Sequence, residues 1–407
     1  MLGVRALKDR IILHCDLNNF FASVSLLFNP TLKNLPVAVC GDKENRHGIV
    51  LAKNEIAKGF GVKTAEAIFE AKHKCPNLVT LPPLYDKYEE YSRKAREIYA
   101  RYTDMIEPFG IDECWLDVTG STLLFGNGEQ IADRLRNDIK RELGITISVG
   151  VSFNKVFAKL GSDMKKPDGV TVISRENFKQ KVWPLPISDL LFVGKKTYEK
   201  LKSCGVYSIG DAAACDDATL SRLLGKNGNE LKKFALGEDN SPVLTPKDDD
   251  KPKSIGKSAT HKTDFTNNDE VWKEILSFSQ YICDILHQKG LYAGGVQVHI
   301  RTSSLSVKEY SHTFKDSTNS TLNFAKRGFE LFCKNYTFGE PLRSIGLRAI
   351  NLKDSKTAVQ QDIFGEENKE ILREEIENSI YEVRKKFGSG SIKRGTNIKS
   401  SNDSEQC

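Results

Sequence analysis

IILHCDLNNFFASV (11–24) decides the fold. Its first seven residues are apolar apart from His14 and Asp16, which reads as a buried strand that carries a carboxylate to its end. NNFFASV then turns helical. GIDECWLDVTG (110–120) and GITISVGVS (144–152) repeat the strand pattern on either side of EQIADRLRNDIKRELG (129–144), whose apolar residues recur at helical spacing. This order predicts a split βαβ sheet with carboxylates on its central strands. Charge buried there is unfavourable unless a cation or a partner compensates it.

Around that sheet the patterns change. Between 49 and 80, GIVLAKN reads as a strand and EAIFEAKHK as a helix, with CPNL and LPPL as punctuation, which predicts a small inserted lobe. YEEYSRKAREIYARYTDMI (88–106) has helical spacing. From 184 to 240 two helical hairpins follow, ISDLLFVGKKTYEKLKSCGV and DATLSRLLGKNGNELKKFALG, each with a glycine-bearing turn. SPVLTPKDDDKPKS (241–254) has linker composition. EVWKEILSFSQYICDILHQKG reads as a helix and GGVQVHIRTSS and RSIGLRAINL as strands, which fits a small α+β domain. From about 354 the chain is polar except for VQQDIFG, and GSGSIKRGTNIKSSNDSEQC has the composition of disorder.

A chain of 407 residues exceeds what one core usually organises, so two to four domains are expected. No apolar run approaches the ~20 residues of a membrane span, and MLGVRALKDR has no signal-like apolar region. Nine cysteines lie scattered without CxxC pairs, which fits a reducing compartment and a cytoplasmic protein. The net charge of +6, from 60 basic and 54 acidic residues, is compatible with nucleic acid without requiring it. Basic residues concentrate in 151–169 and 251–262. A P-loop is excluded, because GKKT (194–197) and GKS (256–258) lack the glycine five positions upstream.

Asp112 and Glu113 are adjacent, so a regular strand would point them to opposite faces, and a turn or bulge is needed for both to reach one metal pair. Together with Asp16 they suit two octahedral Mg²⁺ ions, which prefer oxygen ligands and bring substrate phosphates as the remaining ones. Taken alone, a strand-ending Asp or an Asp-Glu pair more often marks a turn or a surface ion pair.

Their neighbours change that weighting. DLNNFFASV (16–24), GIDECWLDVT (110–119) and SFNKVFAKLGSDMKKPDGV (152–170) resemble, in order and at fitting separations, the three signature blocks of the lesion-bypassing Y family of DNA polymerases. The resemblance runs from about residue 10 to 353. It implies an α+β multidomain chain: a ferredoxin-like palm from 1–19 and 81–172, a fingers lobe at 20–80, a helix-hairpin-helix thumb at 173–240, a linker at 241–254, a little finger at 255–353 and a flexible tail at 354–407.

Residue by residue, the resemblance makes Asp16, Asp112 and Glu113 the metal ligands, with the Leu17 carbonyl as a further oxygen. Phe20 and Phe21 fall at the family's aromatic pair, the second under the incoming sugar, where a ring clashes with a 2′-hydroxyl. Lys166 occupies the position of a triphosphate-binding lysine. The family's N-Y-x-x-R arrangement is replaced by NEIAKGFGV, with Glu55 and Lys58 at the Tyr and Arg positions. Lys58 can meet a phosphate as a point charge without a bidentate fork. Asn18 replaces a second Asp, and FVGKK (192–196) keeps one glycine of the usual hairpin pair. In the tail, Gln360, Asp362, Ile363 and Phe364 resemble the peptide by which bacterial polymerases dock on the sliding clamp.

The implied activity is template-directed addition of dNTPs to a primer 3′ end by a monomer bound to primer-template DNA, with bypass of damaged bases. Two rivals share part of the pattern. A nucleotidyl cyclase also places paired carboxylates on a related palm, but needs no hairpin phosphate binders or basic C-terminal domain. An inactive DNA-binding homologue would not need the acidic triad.

Overall fold

A computed structural model describes residues 9–42, 48–245, 252–354, 367–388 and 391–392. The chain divides into two compact units, the first running to Asp250 and the second starting at Lys251.

The first unit is built on a five-stranded sheet in the order Ile106–Pro108, Glu113–Asp117, Ile12–Leu17, Ile147–Ser152, Val170–Ile173. Ile12–Leu17 is central and antiparallel to both neighbours. The helices Tyr85–Tyr99 and Gly128–Leu143 cover one face, where Tyr88, Ile98, Ile131, Leu135 and Ile139 close the core. Asn127 caps the second of these, accepting from the Gln130 N–H at 2.9 Å. The helix Lys155–Met164 lies on the other face, and its approach depends on glycine. A Cβ at Gly150 would stand 1.9 Å from the Ala158 carbonyl oxygen, which brings that helix close enough to carry Lys159 to the end of the sheet.

A second sheet of three strands, Val50–Lys53, Val37–Cys40 and Val79–Leu81, has its own small core of Ala38, Val50, Ala57, Ile68 and Leu78. Helices from Phe178 to Leu236 form a third cluster around Ile187, Leu201, Ile209 and Leu220. The stretch 241–245 packs on the five-stranded sheet: Val243 is buried beside Ile12 and Trp115, and the Leu244 N–H donates to Glu107 at 2.7 Å.

The second unit is a four-stranded antiparallel sheet, Val307–Thr318, Ala293–Thr302, Leu342–Ile350, Ile255–Phe265, covered by Asn268–Lys289 and Thr321–Asn335.

Two expectations need correction. The helix read over 88–106 ends at Tyr99, because Ile106 instead pairs with Leu116 as an edge strand. The tail is not flexible throughout: Glu367–Phe387 is a helix docked on the second unit. Its polar side chains share in the docking. Glu377 accepts from the N–H groups of Thr321 and Leu322, capping the helix that starts there, while Tyr381 stacks on His287 and Arg384 pairs with Asp284. Ile376, Ile380 and Val383 recur along this helix at helical spacing, the last two partly buried, so caps and ion pairs act beside an apolar stripe. The clamp-like residues Gln360, Asp362, Ile363 and Phe364 lie outside the described residues.

Candidate active site

Asp16 stands opposite Glu113 in the pairing of Ile12–Leu17 with Glu113–Asp117. The Leu17 N–H donates to the Asp112 carbonyl at 3.0 Å. Hydrogen-bonded and non-bonded pairs alternate along an antiparallel ladder, so Asp16 and Glu113 form a close non-bonded pair whose side chains leave the same face. Asp112 escapes the strand alternation because it sits in a bend before the strand begins. Gly110, at φ 84°, turns the chain into that bend.

The three carboxyl groups feel one another. Burial, reinforced by the charges of Asp16 and Glu113, pushes Asp112 up to about 6. Asp16, only 5% exposed, is also raised by burial, against the pull of Lys166 and Lys159. Burial works the same way on Glu113, yet His14 and Lys159 outweigh it and hold that carboxyl down at about 2.

Two lysines supply the compensating charge. Lys166 Nζ is 2.7 Å from Asp16 Oδ2 and 2.8 Å from Asp163 Oδ1. Lys159 Nζ bridges the pair, 3.0 Å from Glu113 Oε2 and 3.4 Å from Asp16 Oδ2. Among the described residues no three His, Cys, Asp or Glu side chains already converge as a metal cage. The donor set nevertheless fits divalent cations: hard carboxylate oxygens crowd at one sheet end, and Asp112, raised first by burial and then by the charges of Asp16 and Glu113, has no lysine within ion-pair distance among the described residues.

Sequence reasoning missed His14 and Lys159. His14 is fully buried, with Nδ1 2.9 Å from Ser162 Oγ and Nε2 3.2 Å from Glu113 Oε2. Its spacing of two from Asp16 on one strand was an available signal. Lys159 became legible only once 155–164 was known to be a helix, which sets it one turn from Asp163 at 3.3 Å. Asn18 is buried and structural: its Oδ1 accepts from Thr146 Oγ1 and from the Asp168 N–H, which ties down the loop that carries Lys166.

The aromatic pair divides by role. Phe20 is 3% exposed and belongs to the core. Phe21 is half-buried and lies flat on Tyr88, ring centroids 4.1 Å apart and planes within 8°. Lys58 is half-exposed on the short helix Glu55–Gly59 of the three-stranded lobe, 3.5 Å from Glu55.

Family models match at two places: the impB/mucB/samB family over residues 15–163 and the C-terminal domain of that family over 252–363. The chain belongs to the Y family of DNA polymerases, with the family's α+β palm, fingers, thumb and little finger. It is 47% identical to the DNA polymerase IV of Acetivibrio thermocellus over 386 residues, covering 95% of this chain and 97% of that one. It is 35% identical to DNA polymerase IV 1 of Bacillus subtilis over 393 residues, covering 96% and 94%. A solved Y-family DNA polymerase chimera superposes with a TM-score of 0.74 at 25% identity, covering 85% of this chain and 100% of its own. Among the described residues no helix is long and apolar enough to cross a membrane.

Proposed function

We propose that this chain is a cytoplasmic, monomeric DNA polymerase that adds dNTPs to a primer 3′ end under template direction and bypasses damaged template bases. The carrying observation is the end of the five-stranded sheet, where Asp16, Asp112 and Glu113 meet Lys159 and Lys166. Asp16, Asp112, Glu113 and the Leu17 carbonyl would hold two Mg²⁺ ions. Bound there, the metal lowers the pKa of the attacking hydroxyl and neutralises charge on the phosphates.

The chain's own groups do the rest. Asp16 and Glu113 share one sheet face, so their carboxylates can turn to common ligands as Lys159 and Lys166 give way. Lys159 and Lys166, which balance these carboxylates, stand where triphosphate oxygens arrive, and Lys58 meets the phosphates from the fingers side. Phe21, backed by Tyr88, presents a rigid ring that a 2′-hydroxyl would strike. Gln360, Asp362, Ile363 and Phe364 would dock a sliding clamp, with the apolar pair as anchors.

The test is primer extension on a defined template with Mg²⁺ and dNTPs, followed by a panel of damaged templates. Extension by wild type, lost by about a thousandfold or more in Asp112→Ala with DNA binding retained, is expected. Robust extension by that variant overturns the mechanism, and cyclic nucleotide formation in place of extension would favour the cyclase reading.

A further inference from the structure

The strand Val50–Lys53 runs directly into the helix Glu55–Gly59, and Asn54 between them fixes the junction. Its Oδ1 accepts from the Ala57 and Val37 N–H groups, both at 3.0 Å, while its Nδ2 donates to the Leu35 carbonyl at 2.8 Å. Glu55 therefore leaves a rigid helix start. Its Oε1 accepts from Asn19 Nδ2 at 2.9 Å and stands 3.5 Å from Lys58 Nζ.

Asn19 is the residue that joins the carboxylate strand to the gate helix. It lies three positions after Asp16, in left-handed conformation at φ 48°, and immediately precedes Phe20–Leu27. Lys53 adds a second cation to this corner. Its Nζ donates to Thr64 Oγ1 at 3.0 Å, and burial, followed by the charge of Lys58, lowers its pKa. Lys53 thus feels Lys58 on the fingers side, with the carboxylates of Glu55 and Glu66 acting against that repulsion.

We propose that Glu55 is a specificity-determining residue, an internal counter-ion that occupies the place of a phosphate between Asn19 and Lys58 and that an incoming nucleoside triphosphate must displace. The inference rests on the reading of Lys58 as a phosphate contact. A phosphate oxygen bonded to Lys58 Nζ at about 2.8 Å lies within about 6 Å of Glu55 Oε1, the sum of that bond and the 3.5 Å ion pair. Like charges at that distance repel, so Glu55 weakens nucleotide binding while it remains in place. Glu55 is 43% exposed and Lys58 51%, so the carboxylate can swing into solvent once the phosphates arrive. The arrangement discriminates against weakly bound anions: only a ligand that engages several cations at once compensates for moving Glu55.

Glu55→Gln separates charge from tether, because the amide oxygen can still accept from Asn19. The experiment measures KM and kcat for dNTP in primer extension, together with equilibrium binding of inorganic tripolyphosphate to the same full-length preparations. For Glu55→Gln the expected result is a fall in KM of about threefold or more at low salt, the screened Coulomb limit at ~6 Å. The effect should fall on KM rather than kcat, match the gain in tripolyphosphate affinity and shrink as salt is raised. Asn19→Ala, which frees Glu55 while leaving its charge, should move KM less than Glu55→Gln does. Unchanged or weakened tripolyphosphate binding by Glu55→Gln overturns the inference. A wild type that fails to extend primers overturns the polymerase reading instead, while the tripolyphosphate comparison still decides the role of Glu55.

Discussion

The two large sheets follow opposite rules. In the second unit, Val296, Val298 and Ile300 of Ala293–Thr302 are buried while Gln297, His299 and Arg301 are more exposed. One face goes to the helices and the other carries polar side chains, the ordinary solution for an antiparallel sheet. In the first unit all six residues of Ile12–Leu17 are buried, His14 and Asp16 among them. The first arrangement is optimised for burial. The second accepts buried charge, balanced by Lys159 and Lys166. Substitutions should therefore act in opposite directions in the two places.

The largest effect on stability belongs to the second unit. Phe324→Ala removes a fully buried ring and should cost about 3 to 5 kcal/mol, read as lost hydrogen-exchange protection in Ala293–Thr302. Unchanged protection there would break the contrast.

Asp112→Asn should do the reverse. The folded-state value of about 6 lies above the ordinary 3.8, so Asp112 lowers stability as pH rises from about 3.8 to about 6, and the loss is complete above that. The difference corresponds to at most about 3 kcal/mol. The neutral variant should therefore melt at higher temperature than wild type in metal-free buffer above pH 7. The gain should vanish below about pH 4, where wild-type Asp112 is protonated both folded and unfolded. A gain independent of pH would place its origin elsewhere.

Phe21→Ala should admit ribonucleotides while dNTP addition survives, since the flat ring on Tyr88 is removed and the carboxylates are untouched. Selectivity equal to wild type would move the gate to another residue. The smallest effect on basal synthesis is expected from Ile363→Ala with Phe364→Ala. Each side chain could contribute about 1.5 to 3 kcal/mol in a partner pocket, before ordering costs. Extension on a short primer-template should not change, whereas stimulation by a loaded sliding clamp should disappear. Equal stimulation of both proteins would make the motif a chance match.

Much of this site was legible locally. Asp16, Asp112 and Glu113 were singled out by the family blocks that surround them, since taken alone such carboxylates more often mark a turn or a surface ion pair, and Phe21 was singled out by its place in the first block. Lys159 was quoted within such a block without a role, since one lysine in a basic stretch looks like any other until its neighbours are placed. The tail was misjudged because Ile376, Ile380 and Val383, at helical spacing, are diluted by charged neighbours, and because caps and ion pairs such as those of Glu377 and Arg384 are not visible in composition.

Apart from the helix Lys155–Met164 and the edge strand Ile106–Pro108, the sequence by itself determined the main strands and helices around the site, the carboxylates on them and the family the blocks resemble. These are properties of contiguous residues, carried by periodicity and composition. Tertiary structure alone decided that Asp16 faces Glu113, that Lys159 reaches Asp16 across 143 positions and that Glu55 meets Asn19 across 36. Such pairings depend on strand register and on how closely a helix approaches at Gly150, and neither is written in any local stretch of chain.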